Sequence, residues 1–278
     1  MSTPKLNPEI QAYYDAAAEE DRLQNGPSQL EFVRTQHILR RMLPSPPATI
    51  LDVGGGPGNY ALWLAELGYQ VHLIDPVPRH VAQARVRSQQ AARPIATCTV
   101  GDARDLQWAA RSLDTVLLLG PLYHLTDRAE RLKALREAWR VLVSGGCLFA
   151  AGISRFASVL DGLSRDLFAD PPFWKIVEQD LREGVHHNET GKLDYFTTAQ
   201  FHRPEELEEE LTEAGFTEVA VLGLEGAGWL LPDFAERWRD ARRRDDLLRA
   251  AQVLEHEESI RGVSAHLLAV ARKPADIV

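Results

Sequence analysis

Three acidic residues and a run of glycines are the features of this sequence that could do chemistry. The apolar segment 49–53 carries Asp52 and leads directly into glycines at positions 54, 55, 56 and 58. Glycine permits positive φ angles and lets a ligand approach the backbone without meeting a Cβ atom. The free N–H groups at the start of the following helix, near residue 59, favour anionic or strongly polar groups. This loop is therefore predicted to cradle a ligand.

The second acidic residue, Asp75, stands about twenty residues after the first glycine, the spacing of a ribose-binding acid. It follows an apolar segment, residues 70–74, that is predicted to be a strand. A carboxylate at the end of such a strand can accept hydrogen bonds from both hydroxyls of a ribose. We therefore expect a cofactor that contains a nucleoside.

The glycine spacing separates two classes of cofactor. A dinucleotide fingerprint needs G-x-G-x-x-G, but counting from Gly54 and Gly56 places Asn59 at the third glycine position, which weakens the pyrophosphate interpretation. The residues do match acid-x-G-x-G-x-G, as Asp52, Gly54, Gly56 and Gly58. In this form the stretch resembles motif I of the class I S-adenosylmethionine-dependent methyltransferases. The resemblance covers roughly residues 48–152.

This resemblance implies S-adenosyl-L-methionine as the cofactor and a place for each motif around it. The glycine loop would lie beneath the aminoacyl part, the acid after the second strand would hold the ribose, and an acid after the third strand would face the adenine. The segment after the fourth strand would lie beside the transferable methyl group. N-terminal helices would cover the cofactor and bring an aromatic or basic residue near its carboxylate. The implied cofactor-binding residues are Tyr14, Arg34, Asp52, Gly54, Gly55, Gly56, Gly58, Asp75, Pro76, Gly101, Asp102, Ala103, Leu119 and Gly120.

His124 and Tyr123, at the end of the predicted fourth strand, are candidates to face the acceptor. The ordinary pKa of a histidine, about 6.5, would suit His124 as a general base. The alternative is a structural histidine that caps the helix predicted over 127–142 or bonds to the backbone. His186, in a predicted loop, is another candidate base. It is adjacent to His187 and has no helical i, i+4 pair or cysteine partner, so no metal site is expected.

The overall composition argues against several classes of protein. The chain has 278 residues, 45% of them hydrophobic and 26% charged, which is ordinary for a globular protein. A formal net charge of −9 argues against nucleic-acid binding. Cys98 and Cys147 are the only cysteines, so no disulfide framework or zinc site is expected and a cytoplasmic location fits. No apolar run reaches the length of a membrane span, so no membrane partner is expected.

Apolar strands alternate with helices through the middle of the chain. The predicted strands are 49–53, 70–74, 95–100, 113–119 and 146–151, and the predicted helices between them are 59–67, 78–91 and 127–142. Such alternation indicates a parallel sheet covered on both faces, with the ligand at the carboxyl ends of its strands. The predicted fold is α/β, Rossmann-like and doubly wound, with a mostly parallel seven-stranded sheet. Its last two strands, 216–224 and 263–271, would form the antiparallel pair that the resemblance implies.

The chain is predicted to consist of four segments. Residues 1–47 form N-terminal lid helices, two in number and broken near 25–27, and residues 48–152 form the cofactor-binding core. Residues 153–203 form an insertion that would serve as a substrate lid. Residues 204–278 complete the core and carry a helical insertion at 225–262, with helices near 232–244 and 246–258.

The sequence thus predicts a methyltransferase that moves a methyl group to an O, N, S or C atom of a small-molecule acceptor. In this chemistry the protein mainly aligns the reactants and excludes water. Two alternatives stay open: an NAD-dependent oxidoreductase, and a non-catalytic protein that binds S-adenosylmethionine as a regulator or scaffold. The chain is also compatible with a homodimer.

Overall fold

A central sheet with helices on both faces forms the molecule, which a computed structural model describes for residues 6–16 and 19–276. Residues 1–5 and 17–18 of the predicted lid, and residues 277–278 at the end of the chain, lie outside the described residues.

Nine strands make up the sheet within this described part. They are β1 (Thr49–Val53), β2 (Gln70–Asp75), β3 (Thr97–Val100), β4 (Leu113–Leu118), β5 (Leu142–Ser154), β6 (Val185–His186), β7 (Ala199–His202), β8 (Thr217–Gly223) and β9 (His266–Arg272). Strands β3, β2, β1, β4 and β5 lie side by side and parallel in that order. β9 runs antiparallel to β5, and β8 runs antiparallel to β9. The strand order reverses between β1 and β4, where open α/β sheets bind ligands.

The fold class is confirmed, but the prediction of seven strands is wrong. The two additional strands, β6 and β7, come from the segment 153–203. β5 continues past the end of β4, and its residue Ile153 pairs with His266 of β9 on one edge and with Phe201 of β7 on the other. The long β5 thereby leaves an open edge that β7 fills, and β6 pairs with β7.

Twelve α-helices surround the sheet in the described residues. They are α1 (Pro8–Ala16), α2 (Glu19–Arg22), α3 (Ser28–Met42), α4 (Asn59–Glu66), α5 (Pro78–Gln90), α6 (Pro121–His124), α7 (Arg128–Val141), α8 (Ala157–Ser164), α9 (Pro171–Glu183), α10 (Pro204–Glu213), α11 (Phe234–Arg239) and α12 (Ala241–Leu254). None of these helices combines the length and the apolar character needed to cross a bilayer.

The helix predictions need two corrections. Three helices, not two, precede β1. The second concerns the two helices predicted near 232–244 and 246–258, whose boundary lies earlier, at Asp240. The Asp240 carboxylate accepts a hydrogen bond from the Arg243 N–H and caps the start of α12.

Alternate residues of the strands enter two separate cores, one on each face of the sheet. Leu51 and Val53 of β1 pack with helices α7 and α10, whereas Ile50 packs with α3, α4 and α5. All three side chains are almost fully buried. Burial of both faces explains why β1 is a largely apolar run. The same packing holds the end of β1, from which the glycine loop starts.

Candidate functional site

A cavity of about 430 Å³ opens at the carboxyl ends of the parallel strands, where the strand order reverses. Its floor comes from the loops that follow β1, β2, β3 and β4, and its cover comes from the N-terminal helices. The covering residues include Ile10, Tyr14, Arg22, Leu23 and Glu31. The position and the volume of this cavity are typical of a site for a cofactor or a small molecule.

The loop after β1 is shaped by its glycines. Gly54 has a φ of +70° and its N–H donates to the carbonyl of Ile74 at 2.8 Å. Gly56 has a φ of +54°, and a Cβ atom added there would meet nothing within 4 Å. A Cβ atom on Gly55 would instead lie 2.7 Å from Oδ2 of Asp52. Gly56 therefore leaves open space for a ligand, whereas Gly55 makes room for a carboxylate.

The carboxylate of Asp75 ties this loop to β2. Its Oδ2 accepts a hydrogen bond from the Gly56 N–H at 2.8 Å, and its Oδ1 accepts one from the Val77 N–H at 2.8 Å. The ring of His80 lies 3.3 Å from Oδ1. Asp75 lines the cavity with only 4% of its surface exposed. It therefore shapes the glycine loop, and its contact with a ribose stays a prediction.

Asp52 is a buried acid on the wall of the cavity. It is 1% exposed, and neither carboxylate oxygen has a hydrogen bond of normal geometry within the described residues. Burial, and then the negative charge of Asp75, raise the pKa of Asp52 to about 7, against a smaller lowering by the backbone of Ala61. A cation in the cavity would relieve this unfavourable burial of charge.

Asp102, the third predicted acid, lines the cavity but already has a partner. Its Oδ2 lies 2.6 Å from Arg104, which also pairs with Glu130 at 2.7 Å. The Arg104 guanidinium lowers the pKa of Asp102 although partial burial acts in the opposite direction. Five further predicted residues line the cavity: Pro76, Gly101, Ala103, Leu119 and Gly120.

Tyr14 and His124 meet inside the cavity. The Tyr14 hydroxyl lies 2.5 Å from Nε2 of His124, and the ring of Tyr123 packs against the imidazole with its centroid 4.7 Å away. Burial lowers the pKa of His124 to about 4 against smaller raising effects of the Thr198 backbone and Asp75. The ring is therefore neutral at pH 7. We assign the ring proton to Nδ1, so that Nε2 accepts from the Tyr14 hydroxyl.

Three of the predicted residues do not line the cavity. Arg34 is fully buried, bonds to Glu255 and to the carbonyl of Leu224, and is removed from the candidate set by its position. Gly58 caps the start of α4 behind the loop. The prediction of His186 as a base is also corrected, because its Nδ1 lies 2.9 Å from Asp180 and its Nε2 lies 2.7 Å from the carbonyl of Tyr195. Both ring nitrogens are occupied, which leaves no basic atom for an acceptor.

Arg22 and Glu31 line the cavity and were missed from the sequence. Nη1 and Nη2 of Arg22 lie 2.8 Å and 3.3 Å from the two carboxylate oxygens of Glu31, and Nε lies 3.2 Å from Glu19. A guanidinium has five N–H donors, so two of them are not used by these contacts. The spacing of α3 could have excluded Arg34, because Leu30, Arg34 and Ile38 share the buried stripe of that helix. It does not identify Arg22, which lies on another helix.

The cavity thus combines an open glycine backbone, a carboxylate that none of the described residues bonds, a partly exposed guanidinium and a neutral histidine beside two tyrosines. A ligand with an ammonium group and a carboxylate could be held at Asp52 and Arg22. The imidazole and the tyrosines line the same cavity. Such an arrangement can position two reactants and exclude water from the space between them.

Comparisons with known proteins agree with this geometry. Residues 50–146 match the family model described as "Methyltransferase domain". An uncharacterized methyltransferase of Mycobacterium bovis is 33% identical over 107 residues, 38% of this chain and 40% of that protein. A ubiquinone biosynthesis O-methyltransferase of Xanthomonas axonopodis is 28% identical over 202 residues, 71% of this chain and 74% of that protein. The chain thus spans about two fifths of the mycobacterial relative.

A crystal structure of a SAM-dependent methyltransferase from Methanosarcina mazei has the same fold. Its TM-score is 0.59 at 19% sequence identity, and the match covers 86% of this chain and 98% of that one. The two proteins therefore share their fold.

Proposed function

Because residues 50–146 belong to the class I S-adenosylmethionine-dependent methyltransferase family, we propose that the whole chain binds S-adenosylmethionine and methylates a small-molecule acceptor. One observation carries the proposal. The buried carboxylate of Asp52, without hydrogen-bond partners among the described residues, faces the same cavity as the open backbone at Gly56. An amino acid attached to a nucleoside would satisfy both features, since its ammonium group would pair with Asp52 and its chain would lie along the loop.

Each wall of the cavity has a part in this proposal. Asp75 shapes the loop and lines the cavity where the ribose would lie, and Gly101 and Ala103 border the space for the adenine. Arg22 replaces Arg34 as the cation for the carboxylate, because Arg22 lines the cavity and Arg34 does not. When bound, S-adenosylmethionine supplies a methyl group on a sulfonium, which is already a good electrophile.

His124 is proposed to face the acceptor. Its imidazole is neutral at pH 7, so Nε2 can accept a hydrogen bond or a proton from an acceptor that takes the place of the Tyr14 hydroxyl. An acceptor hydroxyl would have to give up its proton, for which Nε2 is available, whereas the neutral form of a tertiary amine has no proton to lose. Several relatives are named as ubiquinone biosynthesis O-methyltransferases, which makes phenols the first acceptors to screen.

The test has two stages. Calorimetry with S-adenosylmethionine and S-adenosylhomocysteine measures cofactor binding, and mass spectrometry then follows the gain of one methyl group over a panel of phenols, amines and thiols. Binding with turnover of one acceptor is the expected result. Absence of binding refutes the proposal, whereas binding without turnover over the panel favours the regulatory or scaffold alternative.

A further inference from the structure

A line of four alternating charges runs from the end of the sheet to the cavity. It begins at Glu225, whose Oε2 accepts a hydrogen bond from the backbone N–H of His266 at 3.0 Å and whose Oε1 lies 2.6 Å from Nδ1 of the same residue. Nδ1 lies 3.8 Å from Oε2 of Glu31, and the same oxygen lies 2.8 Å from Nη1 of Arg22. We call these four residues the charge chain.

The charge chain is mechanically anchored at one end and exposed at the other. Glu225 is 2% exposed and holds both the backbone and the ring of His266, the first residue of β9. Glu31 on α3 is 8% exposed, whereas the side chain of Arg22 on α2 keeps 35% of its surface open. Arg22 and Glu31 are among the residues that line the cavity, whereas His266 is not and lies next to Glu31. A change at His266 must therefore reach a ligand through Glu31 and Arg22.

We infer that His266 is a positioning residue whose positive charge attracts Glu31 and thereby keeps Arg22 placed to bind the carboxylate of the cofactor. The inference rests on the proposed function, in which Arg22 receives that carboxylate. When His266 is protonated, Glu31 lies between two cations. Its negative charge then offsets the charge of Arg22 only in part, so Arg22 attracts the carboxylate of a ligand more strongly. Without that proton, Glu31 pairs with Arg22 alone, and the wall of the cavity becomes more negative.

The groups that face His266 determine the direction of its pH dependence. They are Glu31 on α3, Glu225 after β8 and Arg22 on α2. Burial acts to lower the pKa of His266, but the two carboxylates overcome it and raise the pKa above its usual value. His266 therefore keeps its positive charge to a higher pH than an ordinary histidine does and loses it as the pH rises through this raised pKa. Affinity for a carboxylate should fall in the same direction.

A metal ion is the competing occupant of this place. One ligand atom each from Glu31, Glu225 and His266 lie within 4.8 Å of one another. Both carboxylates are already engaged, because Glu31 pairs with Arg22 and both oxygens of Glu225 accept from His266. A bound cation would have to displace these contacts, which favours the chain of ion pairs.

The experiment compares two ligands that differ only at the amino-acid end. S-adenosylhomocysteine carries the carboxylate, and 5′-methylthioadenosine does not. For His266→Gln at pH 7, we expect affinity for S-adenosylhomocysteine to fall about three- to tenfold, the effect of one partly screened charge, and affinity for 5′-methylthioadenosine to stay unchanged. His266→Lys should retain the affinity and remove its loss at alkaline pH. The matched control is His256→Gln, a histidine whose side chain is 69% exposed and also lies beside a glutamate.

The outcomes separate this inference from the proposed function. If wild type binds neither ligand, the proposed function fails. If wild type binds both and His266→Gln weakens both equally, or neither, the positioning role is refuted. A wild-type affinity that rises with added Mn²⁺ or Zn²⁺ and falls with a chelator would also overturn it, in favour of a metal site. Thermal unfolding of each variant shows whether the comparison is made between folded proteins.

Discussion

Protonation of Asp52 should make cofactor binding depend on pH. The pKa of this carboxyl group is about 7 in the free protein, because it is buried and faces the charge of Asp75. A bound ammonium group would favour the ionised form and return the pKa to about 4, the value of an ordinary aspartate. Below pH 7 the free protein must then lose a proton before it binds. Affinity for S-adenosylhomocysteine should weaken about tenfold per pH unit below 7, or about a hundredfold at pH 5.

The variant Asp52→Asn removes the titrating group and should remove this slope. Its affinity at pH 8 should be lower than that of wild type, because the ion pair is lost, and should stay nearly constant from pH 8 to pH 5. Calorimetric dissociation constants at four pH values for both proteins provide the measurement. A wild-type affinity that is flat between pH 5 and pH 7, or an equal slope in the variant, would refute the assignment of Asp52 to the ammonium group.

The same raised pKa has a consequence for folding. The unfolded chain holds this proton less tightly than the folded protein, so the stability that Asp52 contributes is present below pH 4 and is lost as the pH rises through 7. The shift of about three pKa units corresponds to about 4 kcal/mol at most. The Asp52→Asn protein without cofactor should therefore unfold at a higher denaturant concentration than wild type at pH 8.

Three further predictions follow from the contacts of the cavity. Gly56→Ala should abolish cofactor binding. The control is Gly145→Ala, because Gly145 has the same left-handed backbone and equally open space, so this variant should share only the backbone strain. Equal affinities of the two variants for the cofactor in calorimetry would contradict this. Asp75→Asn should lower the free energy of unfolding by about 1–3 kcal/mol, because it weakens the bonds to the Gly56 and Val77 N–H groups, and an unchanged denaturation midpoint would count against it. His124→Ala should lower turnover by roughly 10²–10⁴ with a protonated acceptor at saturating cofactor, and the acidic limb of the wild-type profile should lie near pH 4; a limb retained in the variant would exclude His124 as the base.

The residues that form the floor of the cavity can be predicted from the sequence. The apolar run at 49–53 and the glycines after it are local features, and parallel strands bring their carboxyl ends to one edge. Four residues from well-separated segments of the chain therefore line one cavity, as predicted: Asp52, Asp75, Asp102 and Gly120. What could not be predicted was the partner of each carboxylate, because Asp75 bonds to the loop itself and Asp102 bonds to Arg104.

The cover of the cavity depends on contacts that no local pattern shows. Arg22 was missed because its partner Glu31 and the histidine behind it are set by the packing of α3 against the end of the sheet. The sequence predicts a loop at His186, but the residue lies in β6, which pairs with β7, and its ring is buried against Asp180. Tertiary packing decides these positions, and no local feature of the sequence shows it.

The long separation between the partners in the cover has a consequence for synthesis on the ribosome. Arg34 on α3 bonds to Glu255, and Glu31 on the same helix faces His266, so α3 is fixed by residues more than two hundred positions later. Contacts of such separation form late and slowly, because much chain must be ordered before they close. A nascent chain that has emerged only as far as β5 has the floor of the cavity but not its finished wall. Cofactor capture should therefore begin only after β9 has left the ribosome, and a fragment cut before residue 255 should lose affinity even though every motif of the glycine loop remains.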